Sequence, residues 1–202
     1  MPSKSDAFRQ ADLGGYEVLV GVSGGIAAYK VGEVVSTLVQ RGAGVTVAMT
    51  RSARKFVAPM TFQALTGRRV LTGLWSFDHA SDVQHIALTD AADLMLIAPA
   101  TANIIGKIAG GIADDILTTL VISAGSPVVL APAMNNRMWA NPIVQGNVTR
   151  LTELGYKIIG PGEGWLACRS IGPGRMAEPH EILEAITPVL KTNPPRQSRK
   201  QD

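Results

Sequence analysis

The chain has 202 residues, and its 46% hydrophobic content is enough to build one well-buried core. The formal charge of +3 comes largely from a basic carboxyl-terminal stretch, and only 5% of residues are aromatic, so a nucleic-acid surface is not supported. The single cysteine, Cys168, excludes an internal disulfide framework and a thiol-rich metal centre. No apolar run approaches the roughly 18 residues needed to cross a bilayer, so we expect a soluble, cytoplasmic protein.

Five apolar, partly β-branched runs predict buried parallel strands. They span residues 16–23, 45–50, 94–100, 127–134 and 156–161. Helical stretches are predicted between and after these runs, at residues 26–40, 104–123, 142–154 and 179–190. This alternation predicts an α/β fold with a doubly wound parallel sheet, in which ligands bind beyond the carboxyl ends of the strands.

Other segments are predicted to be less regular. Residues 71–90 have weak periodicity, which indicates a long loop with a short helix or strand, and the Gly- and Pro-rich residues 162–179 are predicted to form a flexible loop. No internal repeat or linker divides the chain. We therefore predict one domain over residues 16–190, between an N-terminal extension (1–15) and a disordered basic tail (191–202).

The turn after the first predicted strand is rich in small residues. Ser23, Gly24 and Gly25 open a helix there, and free backbone N–H groups at a positive helix end can hold a phosphate. Glycines at such a turn are also common for packing alone. The G-x-G-x-x-G spacing of nicotinamide-binding proteins and the phosphate loop of ordinary ATPases are both absent, so the turn favours another anionic cofactor.

Polar side chains follow the next strands at the same predicted sheet edge. Thr50 ends the second strand, and Thr101 and Asn103 follow the third; these groups suit the phosphate and polar ring atoms of a flavin. Thr101 and Asn103 could equally be helix N-caps. The adjacent Asp114 and Asp115 have no His or third carboxylate at ligand spacing, so we predict ion pairing or capping there and no metal site.

Four ordered motifs carry a family resemblance. They are GVSGGIAAYK, PATANIIGKIAGGIADDIL, PAMNNRMW and LACRSIGPGRMAEP. Together they closely resemble the homo-oligomeric flavin-containing cysteine decarboxylases over roughly residues 16–186. The resemblance implies a flavodoxin-like (Rossmann-like) three-layer fold, bound FMN, and a homotrimer with active sites at subunit contacts, in some members assembled further into a homododecamer.

The resemblance also implies a reaction, the decarboxylation of 4′-phosphopantothenoylcysteine to 4′-phosphopantetheine in coenzyme A biosynthesis. Oxidation of the cysteine moiety by FMN would give a thioaldehyde. Loss of carbon dioxide from this thioaldehyde would leave an enethiolate, which the reduced flavin then reduces. The net reaction is redox-neutral, and the cofactor supplies the difficult chemistry.

Individual residues acquire roles through the same resemblance. FMN would be bound by Ser23, Gly24, Gly25, Thr50, Pro99, Ala100, Thr101, Ala102 and Ala133. The substrate would be bound by Asn135, Met138, Ala167 and Arg169, and the catalytic residues would be His85 and Cys168. A thiol with an ordinary pKa of about 8.5 is mostly protonated at neutral pH, which suits Cys168 as a proton donor. A structural role for His85 and an inert, buried Cys168 are the alternatives.

Arg169 is a departure, because the family commonly has glycine directly after its cysteine. An arginine would be strained if this position required a positive φ, and we hypothesise that Arg169 contacts the substrate phosphate. Many bacterial relatives carry a fused synthetase domain that this sequence does not include. Either the sequence is a fragment, or a separate phosphopantothenate–cysteine ligase supplies the substrate, which is what we expect. The competing functions are a peptidyl-cysteine decarboxylase, a flavin prenyltransferase, and a catalytically silent flavin-binding regulatory subunit.

Overall fold

A five-stranded parallel sheet forms the centre of the molecule, in the strand order β2-β1-β3-β4-β5. The structure is a computed structural model that describes residues 11–74, 84–165 and 171–196. The strands of the sheet are β1 (Glu17–Val22), β2 (Gly44–Met49), β3 (Leu94–Ala100), β4 (Val128–Pro132) and β5 (Lys157–Ile158). The order reverses between β1 and β3, as in flavodoxin-like proteins. The predicted α/β class and flavodoxin-like sheet are confirmed.

Helices cover both faces of this sheet. They are α1 (Val31–Gln40), α2 (Pro59–Thr66), α3 (Gln84–Ala91), α4 (Ala102–Ala109), α5 (Ile116–Ile122), α6 (Asn136–Trp139), α7 (Pro142–Glu153) and α8 (Pro179–Lys191). The predicted helices at 142–154 and 179–190 are confirmed, whereas the first five residues of the helix predicted at 26–40 form a 3-10 helix, Ile26–Lys30. None of the helices that the structure describes combines the length and apolar character needed to span a bilayer.

Apolar side chains pack on both sides of the sheet and complete three layers. On one face α1 and α8 contribute Leu38 and Ile186, and on the other α4 and α5 contribute Ile104 and Leu120, all of them buried. Every residue of β3 is buried. A strand covered on both faces needs such a continuous apolar run, which is why its periodicity is not alternating.

The single helix predicted over residues 104–123 is wrong, because two helices occupy this stretch. Gly110 and Gly111 end α4, and Gly111 has a left-handed φ of 68°. Asp115 then begins α5 with a capping box: its carboxylate accepts from the Thr118 backbone N–H at 2.9 Å, and the Thr118 hydroxyl accepts from the Asp115 N–H at 3.1 Å. Two glycines and a cap are stronger local signals than the apolar periodicity that continues across them.

The flexible loop predicted over residues 162–179 is also wrong for the described part. An antiparallel pair forms there, β6 (Gly162–Trp165) with β7 (Ile171–Arg175), followed by α8 from Pro179. In the segment 71–90, Leu71 makes an isolated parallel bridge to Ala48, and α3 is the predicted short helix. The sequence analysis missed α2 and α6.

Part of the tail predicted to be disordered from residue 191 is held against the sheet. Lys191 ends α8 and pairs with Asp12 at 2.7 Å. Further on, the Arg196 backbone N–H donates to Asp93 Oδ1 at 2.7 Å, and its guanidinium donates to the Asp90 carbonyl at 3.1 Å and to the Gly125 carbonyl. Residues 191–196 therefore have defined contacts with the domain, because Asp12, the buried carboxylate of Asp93 and two backbone carbonyls bind them.

Candidate active site

A cleft of about 1110 Å³ lies at the carboxyl ends of β1 to β4. Its walls are the loops that follow these four strands, together with the edge of the β6–β7 hairpin. In a doubly wound sheet this is the place where the strand order reverses and the loops diverge, which opens space for a ligand. This cleft therefore lies at the edge of the sheet where the sequence predicts ligand binding.

Most of the site residues predicted from sequence line this cleft. They are Ser23, Gly24, Gly25, Thr50, Thr101, Ala102, Ala133, Asn135 and Met138. Pro99 and Ala100 are buried at the end of β3 and are not among the lining residues. His85 lies on α3 and does not line the cleft of its own chain. Ala167, Cys168 and Arg169 lie outside the described residues.

The Ser23 hydroxyl joins the ends of β1 and β3. It is only 2% exposed, donates to the Pro99 carbonyl at 2.7 Å and accepts from the Thr101 backbone N–H at 3.2 Å. The hydroxyl proton is therefore engaged inside the protein. Ser23 contributes to the site by fixing the two strand ends that diverge at the switch point, a role the motif alone did not indicate.

Gly24 allows the loops after β1 and β2 to touch. A Cβ atom at this position would lie 2.3 Å from Ser52 Cβ, which is far inside van der Waals contact. Gly25 precedes the 3-10 helix, and no side chain caps that helix start. This combination of small residues and an uncapped helix start leaves room and backbone donors for a phosphate group.

Two threonine hydroxyls border the same turn. Thr101 is the N-cap of α4, where Oγ1 accepts from the Ile104 N–H at 3.4 Å, and it lies 3.1 Å from the Ser23 hydroxyl. Thr50 Oγ1 accepts from the Ala53 N–H at 3.2 Å. A hydroxyl that accepts in this way still has its own proton to donate, so Thr50 can donate to an anionic ligand. The capping alternative for Thr101 is confirmed.

On the other side of the cleft, Asn135 begins the short helix α6. Its Oδ1 accepts from the Arg137 backbone N–H at 2.8 Å, which fixes the orientation of the amide. The β6–β7 hairpin packs directly against this turn, since the Met134 N–H donates to the Gly174 carbonyl at 2.9 Å. Gly174 has a φ of 132°, and a Cβ there would lie 2.3 Å from the Met134 carbonyl oxygen, so only glycine fits.

Cationic side chains dominate the charged lining of the cleft. Lys30 and Arg175 both pair with Glu178, at 2.9 and 2.6 Å. The hydrogen bond from Lys30, with burial opposing it, lowers the pKa of Glu178 below its usual range. Lys30 follows the glycine turn and Arg175 ends the hairpin, so Glu178 connects the two sides of the cleft. This cluster is not predicted from the sequence, in which Glu178 and Glu181 show only the capping-box pattern that begins α8.

The predicted roles of Asp114 and Asp115 are confirmed. Asp114 pairs with the cleft-lining Lys107 at 2.7 Å, and Asp115 caps α5. Hydrogen bonding to Asp114 raises the pKa of Lys107, and the same bond lowers the pKa of Asp114. Lys107 therefore stays charged, and the carboxylates of Asp114 and Asp115 balance its charge at this wall of the cleft.

A doubly wound sheet with a phosphate-accepting turn at its switch point and a large cleft above it defines a flavodoxin-like, nucleotide-cofactor-binding class of protein. The comparison with family models gives the particular family. The chain belongs to the flavoprotein family, whose model matches residues 7–191.

Curated relatives are bifunctional proteins. The chain is 50% identical over 172 residues to the coenzyme A biosynthesis bifunctional protein CoaBC of Bacillus subtilis, which covers 85% of this chain and 42% of that protein. It is 42% identical over 172 residues to the protein of the same name from Escherichia coli, again covering 85% and 42%. The chain thus spans less than half the length of these relatives.

Solved structures share the fold over nearly their whole length. A PPC decarboxylase mutant complexed with pantothenoylaminoethenethiol is 34% identical with a TM-score of 0.79, over 87% of this chain and 98% of that one. The FMN-dependent cysteine decarboxylase SpaF is 36% identical with a TM-score of 0.78, over 89% and 98%. The FMN binding protein AtHal3 is 34% identical with a TM-score of 0.77, over 89% and 99%.

Proposed function

We propose that this chain is a phosphopantothenoylcysteine decarboxylase, which converts 4′-phosphopantothenoylcysteine to 4′-phosphopantetheine with FMN as cofactor. The observation that carries this proposal is the cleft, because one continuous space is lined by the residues expected to hold FMN and by Asn135 and Met138, expected to hold the substrate. Relatives named for coenzyme A biosynthesis and a structural neighbour named as a PPC decarboxylase support the substrate.

The residues present fit FMN. Gly24 and Gly25 leave the turn after β1 free of side chains, Thr50 supplies a hydroxyl, and the cleft volume of about 1110 Å³ has room for both a flavin and a substrate. When bound, FMN supplies the reversible oxidation that makes loss of carbon dioxide feasible. Ser23, Pro99, Ala100 and Thr101 would keep the strand ends in place, and Ala102 and Ala133 would form part of the cofactor wall.

The chain's own residues bind, orient and protonate the substrate. Asn135, oriented by its hydrogen bond to the Arg137 N–H, would bind the carboxylate region, with Met138 beside it. Cys168 would donate the proton at the end of the reaction, and Ala167 and Arg169 would contact the substrate. These three residues come between Trp165, which lines the cleft, and Ile171, its partner in the hairpin, and this connection supports the assignment.

The position of His85 supports a proposal about the oligomeric state. It is not among the described residues that line the cleft of its own chain, which supports a role in which another copy presents it to the site. We propose that the active site lies at a contact between subunits of a homotrimer, which could assemble further into a dodecamer. A phosphopantothenate–cysteine ligase would supply the substrate in the cytoplasm.

The test is anaerobic turnover of 4′-phosphopantothenoylcysteine by the FMN-loaded protein, followed by carbon dioxide release and product mass. We expect the wild type to form 4′-phosphopantetheine and Cys168→Ser to release carbon dioxide but stop at the enethiol. A peptide ending in cysteine serves as the competing substrate. Turnover of the peptide alone would assign the chain to peptidyl-cysteine decarboxylation, and no turnover of either despite bound FMN would favour a regulatory subunit.

A further inference from the structure

The β6–β7 hairpin has two different faces. Gly164 lies opposite Gly172, and with Gly174 these residues form a glycine face, on which the Arg175 side chain covers Gly164. This face packs against the turn that holds Asn135: a Cβ on Gly172 would lie 3.3 Å from the Asn136 amide nitrogen, and a Cβ on Gly174 would overlap the Met134 carbonyl. The hairpin is thus anchored by backbone contact, and side chains fill its other face.

Trp165 and Ile171 form the outer end of that other face. They are cross-strand partners, and side chains directly opposite each other in an antiparallel pair lie on the same side. Both are well exposed, at 63% and 75%, but only Trp165 lines the cleft. An exposed indole at the cleft wall is an apolar surface available to a ligand.

The position of Trp165 along the cleft indicates which part of a ligand it meets. It lies three residues before Cys168 in the chain, and the same hairpin contacts the turn of Asn135, where the proposed function places the reacting cysteine moiety. Met138, 48% exposed, lines the cleft after that turn. A substrate with its cysteine end at Asn135 would have these apolar side chains within the same cleft, where its acyl arm could contact them.

Resting on the proposed function, we propose that Trp165 is a specificity-determining residue that packs on the branched aliphatic arm of the pantothenoyl group. That arm carries two methyl groups on one carbon, and a peptide ending in cysteine has no equivalent group at a fixed place. Burial of the two methyl groups against the indole favours the pantothenoyl substrate by about tenfold in affinity. The chemistry at the cysteine end is unaffected, so the effect falls on KM.

The experiment is a cycle of two protein forms and two substrates, with the FMN-loaded protein. Wild type and Trp165→Ala are assayed with 4′-phosphopantothenoylcysteine and with an analogue in which hydrogens replace the two methyl groups. We expect Trp165→Ala to raise KM for the natural substrate about tenfold with kcat within twofold. For the wild type, we expect KM for the analogue to exceed KM for the natural substrate by a similar factor. Trp165→Ala should not raise KM for the analogue any further. Trp165→Phe keeps most of the discrimination.

Ile171→Ala is the matched control, because Ile171 is an exposed apolar residue of the same hairpin end that does not line the cleft. It is expected to leave both KM values unchanged. An equal rise in KM for both substrates in Trp165→Ala would overturn the inference. A weaker FMN affinity in Trp165→Ala would also overturn it, because Trp165 would then be a cofactor contact. If the wild type shows no turnover, the proposed function fails. Dissociation constants for 4′-phosphopantothenoylcysteine, measured by flavin absorbance, then decide the inference. Equal values for wild type and Trp165→Ala, or no binding, refute it.

Discussion

Replacing Gly24 by alanine should weaken cofactor binding sharply while leaving the fold intact. The added Cβ would lie 2.3 Å from Ser52 Cβ, 3.0 Å from the Ser52 carbonyl carbon and 3.2 Å from its Cα. None of these atoms can rotate away, since two belong to the backbone and the third is fixed to it. The turns after β1 and β2 must therefore move apart.

The size of the effect follows from that displacement. Ordinary contact begins at 3.4 Å, so the two loops must separate by roughly 1 Å. Overpacking of this kind costs about 1–3 kcal/mol. If the cost falls on the cofactor-binding conformation, FMN affinity drops by roughly five- to 150-fold.

The assay is titration of the apo protein with FMN, followed by quenching of the flavin fluorescence, together with thermal unfolding of the apo form. Gly146→Ala is the control: Gly146 lies inside α7, its added Cβ meets nothing within 4 Å, and alanine should stabilise the helix by about 0.5–1 kcal/mol. The reasoning is refuted if Gly24→Ala binds FMN as tightly as the wild type and unfolds at the same temperature.

Substitutions at three further positions test other contacts. Ser23→Ala should lower the free energy of unfolding by about 1–3 kcal/mol, because it leaves the buried Pro99 carbonyl and Thr101 N–H unpaired; urea denaturation that matches the wild type would contradict this. Asp115→Ala should cost about 1 kcal/mol through loss of the α5 cap, and Asp115→Asn much less, in the same measurement. Asp12→Asn tests the pH dependence of stability. The hydrogen bond from Arg41 lowers the pKa of Asp12, burial partly opposes this change, and the hydrogen bond from Lys191 lowers the pKa further. That pKa is lower in the folded protein than in the unfolded chain. The Asp12 ion pair therefore adds about 1–2 kcal/mol to the free energy of unfolding above roughly pH 4, and this contribution is lost as the pH falls below that value. Unfolding curves of wild type and variant should converge in acid, and a constant difference down to pH 2 would count against the ion pair.

The sheet could be predicted because each of its strands leaves a local pattern. Runs such as LMLIAPA are apolar along their whole length, and the turns after them carry the polar residues that line the cleft. The position of the site then follows from topology alone. The break between α4 and α5 was predictable as well, had Gly110, Gly111 and the cap at Asp115 been given more weight than the apolar period across them.

Other features could not be predicted, because they depend on contacts between distant parts of the chain. The hairpin is rich in glycine, which normally indicates a loop, and its strands exist because Gly172 and Gly174 let the backbone approach Asn136 and Met134. Lys30 and Glu178 are far apart in sequence, and neither residue type indicates that they meet. That His85, on α3, is not among the described residues lining the cleft likewise follows from the fold and not from any local pattern.

The contact of Arg196 with Asp93 fixes where the last described residue lies on the domain. Asp93 directly precedes β3, and its second carboxylate oxygen accepts from the Glu17 N–H at the start of β1, so Arg196 sits at the amino ends of the strands. The cleft lies at their carboxyl ends, roughly 20 Å away across the length of β3. A reporter, surface tether or second catalytic module joined after Arg196 would thus face away from substrate entry, so the domain can be immobilised or fused at that end without obstructing its cleft.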